Sequence, residues 1–314
     1  MANDQDVAVG WIGLGDQGAP MARAIAEAGY ELHVWARRPS SLEELRGVPF
    51  TVHDTPAALG AACEIVGLCL NVDDNVREVL TDGGLLGALR AGAVLVNHGT
   101  GLPAFARELA ALAEPHEVAV LDAPVSGGRA GAVAKQLTTI VGGDRAALTR
   151  CTPVFESFSA KISHMGGAGA GQMAKLLNNA LLMANQESLR EIVRVASDLG
   201  IEVAPLMDLL RSGTGSSRAL ESLGHAITPG NAEHLREMQL VDMEIFADAV
   251  AELGESVRPF TERAVDGARA LPELAAQVGW FPFPDPARGG TVRDRSGVAG
   301  GRGRPRTDHG PAVR

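Results

Sequence analysis

The 314-residue sequence predicts an α/β domain followed by an all-α domain. Three observations carry this. Short apolar runs alternate with helical patterns through the first half. The alternation stops at a glycine-rich stretch, 166–171. Beyond it the chain is helical in spacing and poor in β-branched runs.

Taken in order, strands are predicted at 7–12, 31–36, 64–70, 93–99, 118–125 and 137–143. Helices lie between them at 18–28, 55–62, 102–113 and 144–157. Short buried strands separated by helices indicate parallel β-α-β units with both sheet faces covered. The second half reads as helices at 171–199, 204–211, 232–253 and 257–270, the first with no Pro or Gly inside until Gly200. The domains divide as 1–166, 167–280 and a tail, 281–314. That tail holds seven arginines, three aspartates, seven glycines and five of its residues are proline, with little apolar periodicity, so it is expected to be disordered.

Charge and cysteine usage exclude several classes. The formal net charge is −10, and the tail contributes +4, so the body carries −14. An acidic body argues against nucleic acid as the main partner. No uninterrupted apolar run approaches the ~20 residues of a membrane span, and the acidic start does not suit a signal peptide. Cys63, Cys69 and Cys151 match no zinc spacing and form no C-x-x-C, nor do the histidines form a metal motif; the thiols read as small core residues of a cytoplasmic protein.

The first strand runs into Gly13-Leu14-Gly15-Asp16-Gln17-Gly18, and a helix follows. In that position G-x-G-x-x-G reads as a dinucleotide-binding turn and the domain as a Rossmann fold: Gly13 for the tight turn, Gly15 for backbone approach to a pyrophosphate, Gly18 for helix–strand packing. The end of the second strand, His33-Val-Trp-Ala36-Arg37-Arg38, lacks the acid that bonds an NAD ribose. Two arginines suit a 2′-phosphate, so NADP(H) is preferred, with NAD(H) possible.

Lys175 is the only charged residue between His164 and Glu187, in a helix that also carries Asn178 and Asn179. Lys175 and Asn179 share a helical face. Burial lowers a lysine pKa by up to ~3–5 units and makes it a proton donor to a carbonyl oxygen. Snorkelling to solvent fits the same spacing. A third stretch, Asp122-Ala-Pro-Val-Ser126-Gly127-Gly128, is a strand ending in a turn whose hydroxyl and open N–H groups suit a carboxylate.

Together these motifs resemble the β-hydroxyacid dehydrogenase family, over about residues 6–279. The resemblance implies a Rossmann domain, an all-α C-terminal domain and an active site between them. It implies Lys175 as general acid/base with Asn179 and Ser126 assisting, and Ser126, Gly127, Gly128 and Asn178 around a small carboxylate substrate. The Gly13–Gly18 turn would hold the dinucleotide with Arg37, Arg38, Leu70, Asn71 and Thr100, in a homodimer or tetramer. Departures from the family pattern stand at Gln17, at Leu70-Asn71, at Asn97-His98-Gly99-Thr100 and at Val241, where a lysine usually precedes the aspartate now at Asp242. An imine reductase and a non-catalytic dinucleotide-binding scaffold share the architecture and remain open alternatives. His98 and His164 read as satisfied polar groups near the cleft.

Overall fold

The computed structural model describes residues 7–278. The arginine-rich tail and the acidic first six residues lie outside the described residues. The alternating first half forms β1 (Ala8–Ile12), α1 (Gly18–Glu27), β2 (Glu31–Trp35), β3 (Thr51–Val52), α2 (Pro56–Ala62), β4 (Ile65–Leu68), α3 (Asp73–Leu80), α4 (Leu85–Ala88), β5 (Val94–Asn97), α5 (Pro103–Ala113) and β6 (Ala119–Asp122). These six strands are parallel and ordered β3-β2-β1-β4-β5-β6. The order reverses at β1, so a crevice opens beyond the carboxyl ends of β1 and β4, where open α/β sheets bind ligands.

Alternation along the strands supplies a core on each face. Trp11 packs with Met21, Ile25, Val34 and Phe158 on one side, and Ile12 with Leu59, Leu68, Leu95 and Phe105 on the other. Each such fully buried side chain contributes roughly 1.5–3 kcal/mol.

Beyond β6 the fold departs from uniform parallel pairing. The strand expected at 118–125 is broken by Pro124 into β6 and β7 (Val125–Ser126), followed by α6 (Gly128–Val133) and β8 (Leu137–Gly143). β8 runs antiparallel to both, pairing Asp122 with Gly142 and Ser126 with Thr138. Only residues 127–136 separate β7 from β8, fewer than the dozen or so a parallel crossover needs, so the chain folds back. After α7 (Arg145–Phe155), β9 (Ser159–Gly166) adds to β8 in parallel. Its sequence, SAKISHMG, lacks apolar alternation because it is paired on one side and largely half-exposed, so no strand was expected there.

The helical half comprises α8 (Ala170–Asp198), α9 (Val203–Ser212), α10 (Arg218–Ser222), α11 (Ala232–Ala249), α12 (Arg258–Arg269) and α13 (Leu271–Val278). The helix expected over 232–253 ends at Ala249, and a 3-10 segment with a non-helical Gly254 follows. At 29 residues α8 is roughly 43 Å long. Leu176, Ala180, Met183 and Ala184 bury against Met243 and Phe246 of α11 and Ala264 and Ala268 of α12.

Two features seat the start of α8 on the sheet. A Cβ on Gly171 would lie 2.4 Å from the Asp122 carbonyl oxygen and 2.6 Å from the Gly142 nitrogen, so only glycine lets the first turn reach the strand backbones. The buried Asp122 carboxylate then accepts from the backbone N–H groups of Gly169 and Gln172, both at 2.8 Å. These are donors that a helix start leaves unpaired.

Candidate active site

The glycine turn lies at the strand-order reversal. Gly13 has φ +103°, and a Cβ there would stand 2.2 Å from the Cys69 carbonyl oxygen, so the turn needs glycine. A Cβ on Gly15 meets open space, and the Gln17 side chain makes no capping hydrogen bond at the start of α1. The space beside this turn is a cavity of about 240 Å³ lined by Gly13, Leu14 and Gly15, by Trp35 at the end of β2 with Arg37, Arg38 and Ser41 beyond it, and by Leu70 and Asn71 after β4. Seven of the expected dinucleotide residues are thus brought together. Asp16, Gln17, Gly18 and Thr100 are not among its lining residues.

The open backbone at Gly15, the uncapped helix and the cationic rim fit a dinucleotide pyrophosphate. The rim is less cationic than the sequence suggests. Arg37 Nη2 donates to Glu78 Oε2 at 2.6 Å, so an acid from α3 stands beside the first arginine.

Lys175 lies one turn into α8, half-buried, with Asn178 and Asn179 a turn further on. Burial of the amino group holds its pKa below the usual lysine range, and the Asp242 carboxylate opposes that shift. Asp242, on α11, is pushed up from the usual carboxylate range by burial, against the pull of Lys175 and of a hydrogen bond from Asn179. Burial thus works against the charged form of each group, and each partner's charge works against burial. Asn179 Nδ2 donates to Asp242 Oδ2 at 2.7 Å, and Asn178 Nδ2 donates to Asn179 Oδ1 at 3.1 Å. Asn179 thus orients the carboxylate beside the lysine, and no hydrogen bond joins it to Lys175 among the described residues. Ser126, Gly127 and Gly128 form the turn between β7 and α6, with positive φ at both glycines. Among the described residues no hydrogen bond links that turn to Lys175 or Asn179.

His98 does not act in the cleft. It is 3% exposed, its ring stacks on Trp11 with centroids 5.2 Å apart, and Phe155 and Phe158 meet it edge-on. Its Nδ1 lies 2.8 Å from the Ala123 carbonyl oxygen, which requires an N–H there. Burial pushes its pKa down to about 4, so it is neutral near pH 7. His164 Nε2 likewise meets the Gly143 carbonyl oxygen, at 2.8 Å. Burial pushes the thiols of Cys63, Cys69 and Cys151 up to about 12, which disfavours the nucleophilic thiolate near neutral pH.

Asp122, Gln172, Asp242 and Glu78 carry no signal of their roles in the sequence. Each acts on a residue more than forty positions away, which no local pattern encodes. One further signal for Lys175 was countable. Of 28 basic residues only three are lysine, at 135, 161 and 175. A chain that otherwise uses arginine, which stays charged, keeps a deprotonatable amine inside an apolar helix.

Residues 8–167 match the model of the NAD binding domain of 6-phosphogluconate dehydrogenase, and residues 169–270 that of the NAD-binding region of NADP-dependent 3-hydroxyisobutyrate dehydrogenase. A probable 3-hydroxyisobutyrate dehydrogenase of Mycobacterium tuberculosis is 35% identical over 214 residues, 68% of this chain and 72% of that one. An NAD-dependent L-serine dehydrogenase of Pseudomonas aeruginosa is 36% identical over the same shares. Among solved structures, the M. tuberculosis 3-hydroxyisobutyrate dehydrogenase with L-serine superposes with TM-score 0.75 at 30% identity, covering 87% of this chain and 96% of that one.

Proposed function

The chain belongs to the β-hydroxyacid dehydrogenase family, as an NAD(P)-binding oxidoreductase, and on that premise we propose that it interconverts a small carboxylate-bearing alcohol and its carbonyl form. The observation that carries the proposal is Lys175, a lysine of lowered pKa held beside Asp242 and Asn179.

A nicotinamide dinucleotide held along Gly13–Gly15, Arg37 and Arg38 would supply the hydride chemistry. The remaining tasks fall to this chain. In the reductive direction Lys175 Nζ gives a proton to the carbonyl oxygen, and in the oxidative direction it takes one from the hydroxyl. A lowered pKa brings both steps closer to neutrality. Asp242, oriented by Asn179, keeps a negative partner beside the ammonium form. The Ser126 hydroxyl and the N–H groups of Gly127 and Gly128 hold the substrate carboxylate, with Asn178 at the margin. This grip separates a β-hydroxy acid or semialdehyde from a cyclic imine.

Arg38, Ser41 and the Glu78-paired Arg37 favour NADP(H) over NAD(H). The outward face of α8 exposes Leu177, Leu181, Ile192 and Val195 at helical spacing, which supports assembly with further copies of this chain as a dimer or tetramer. In this reading the dinucleotide-binding half ends near Gly166.

Turnover tests the proposal. Purified protein with NADPH or NADH is assayed against β-hydroxy acids, semialdehydes and a cyclic imine. Activity is expected with the carboxylate-bearing compounds, and Lys175→Ala should lose on the order of 10²–10⁴ in kcat. Unchanged turnover in that variant removes Lys175 from the chemistry.

A further inference from the structure

The loop after β5, His98-Gly99-Thr100-Gly101, leaves the sheet at the carboxyl end, next to the crevice where strand order reverses. It carries two glycines and its backbone needs external anchors. Three side chains provide them. Asn97 Oδ1 accepts from the Gly99 N–H at 3.0 Å, and Asp73 Oδ2 accepts from the Leu102 N–H at 3.0 Å. The third anchor comes from the helical half. Gln172, fully buried, accepts from the Gly101 N–H at 2.9 Å through Oε1 and donates to the Gly99 carbonyl oxygen at 2.7 Å through Nε2. Its own backbone N–H is held by Asp122. Three residues later comes Lys175.

The demand on this side chain is two-ended. Gly101 presents a donor and Gly99 an acceptor. Only a group with both an acceptor and a donor at its tip satisfies them, and among side chains of this length the amide does so. A buried pair left unmatched carries the full desolvation penalty.

We propose that Gln172 is a positioning residue that locks the Gly99–Gly101 loop to the first turn of the lysine helix and thereby sets dinucleotide affinity. The proposal rests on the reading of the cavity beside Gly13–Gly15 as the dinucleotide site; the loop backs one of its lining residues, since a Cβ on Gly99 would lie 2.3 Å from the Leu70 carbonyl oxygen. It needs no substrate assignment.

The experiment exploits the two-ended demand. Gln172→Glu keeps the size but, when ionised, loses the donor to Gly99. When protonated, it regains both a donor and an acceptor. Burial, with the Asp122 and Asp73 carboxylates anchored nearby, raises its pKa above the ordinary ~4.3. Gln172→Met loses both partners at every pH. Binding of NADPH and NADH to the full-length protein is measured by fluorescence titration from about pH 8 to about pH 5.5. Both variants should bind about tenfold more weakly than wild type at the upper pH, the factor that corresponds to roughly 1.4 kcal/mol. The Glu variant should recover toward wild type on acidification, and the Met variant should not. Wild-type affinity in the Glu variant at high pH, or identical pH-independent losses in both, overturns the proposal. A second measurement uses wild type alone. Hydrogen exchange across residues 97–102 should be as slow as in β5, and fast exchange there overturns the lock. Absence of turnover with every carboxylate substrate, with these binding results intact, would instead count against the proposed reaction.

Discussion

Acidification should unfold this protein partly through one side chain, His98. The imidazole is sealed between Trp11, Phe155 and Phe158, and it donates to the Ala123 carbonyl next to the helix-seating Asp122. Its pKa falls from 6.5 in the open chain to about 4 in the fold. The unfolded chain therefore binds the proton first. The stability that neutral His98 provides is fully present above pH 6.5 and is lost as pH falls toward 4. Each pKa unit is worth about 1.36 kcal/mol, so the total is roughly 3 kcal/mol, of which about 2 is gone by pH 5. With 3% of the residue exposed, solvent screening takes little from this figure. The assay is urea unfolding of wild type and His98→Gln at several pH values between about 7.5 and 5, extrapolated linearly to water. The variant lacks the titrating group but keeps a polar donor. It should be the less stable protein at the upper pH, and the gap should narrow by about 2 kcal/mol at the lower one. A gap that stays constant across the range would refute a buried neutral imidazole.

Other expected outcomes follow from the same contacts. Because Asp242 raises the Lys175 pKa, Asp242→Asn should move the lysine-dependent limb of the kcat/KM profile to lower pH; a limb that stays in place dissociates the two groups. Gly171→Ala must push Asp122 and Gly142 backbone apart and should cost roughly 1–3 kcal/mol in urea unfolding, with weaker turnover because the lysine helix shifts. Glu78→Gln frees Arg37 and should raise the affinity for NADPH relative to NADH by a few-fold, on the order of 1 kcal/mol; equal changes for both dinucleotides would show that Arg37 does not read the 2′ position.

The sequence by itself determined the periodic and local parts of this protein. Gly13 and Gly18 specify a strand–turn–helix because their missing side chains leave room for the Cys69 and Gly13 carbonyls. The apolar runs specify strands, and the long uninterrupted pattern after Gly171 specifies α8. Lys175 was conspicuous as a lone charge in that pattern. The tertiary structure decided what surrounds it. Asp122 reaches Gly169 and Gln172 across about fifty residues, Asn179 reaches Asp242 across sixty-three, and Gln172 reaches the β5 loop across more than seventy. It also decided the backward turn of β8, the edge strand β9, the Arg37–Glu78 pair and the burial of His98. The division has one physical cause. Helical and strand periods and turn stereochemistry act between near neighbours in the chain. Hydrogen bonds and desolvation act between groups that packing alone brings together.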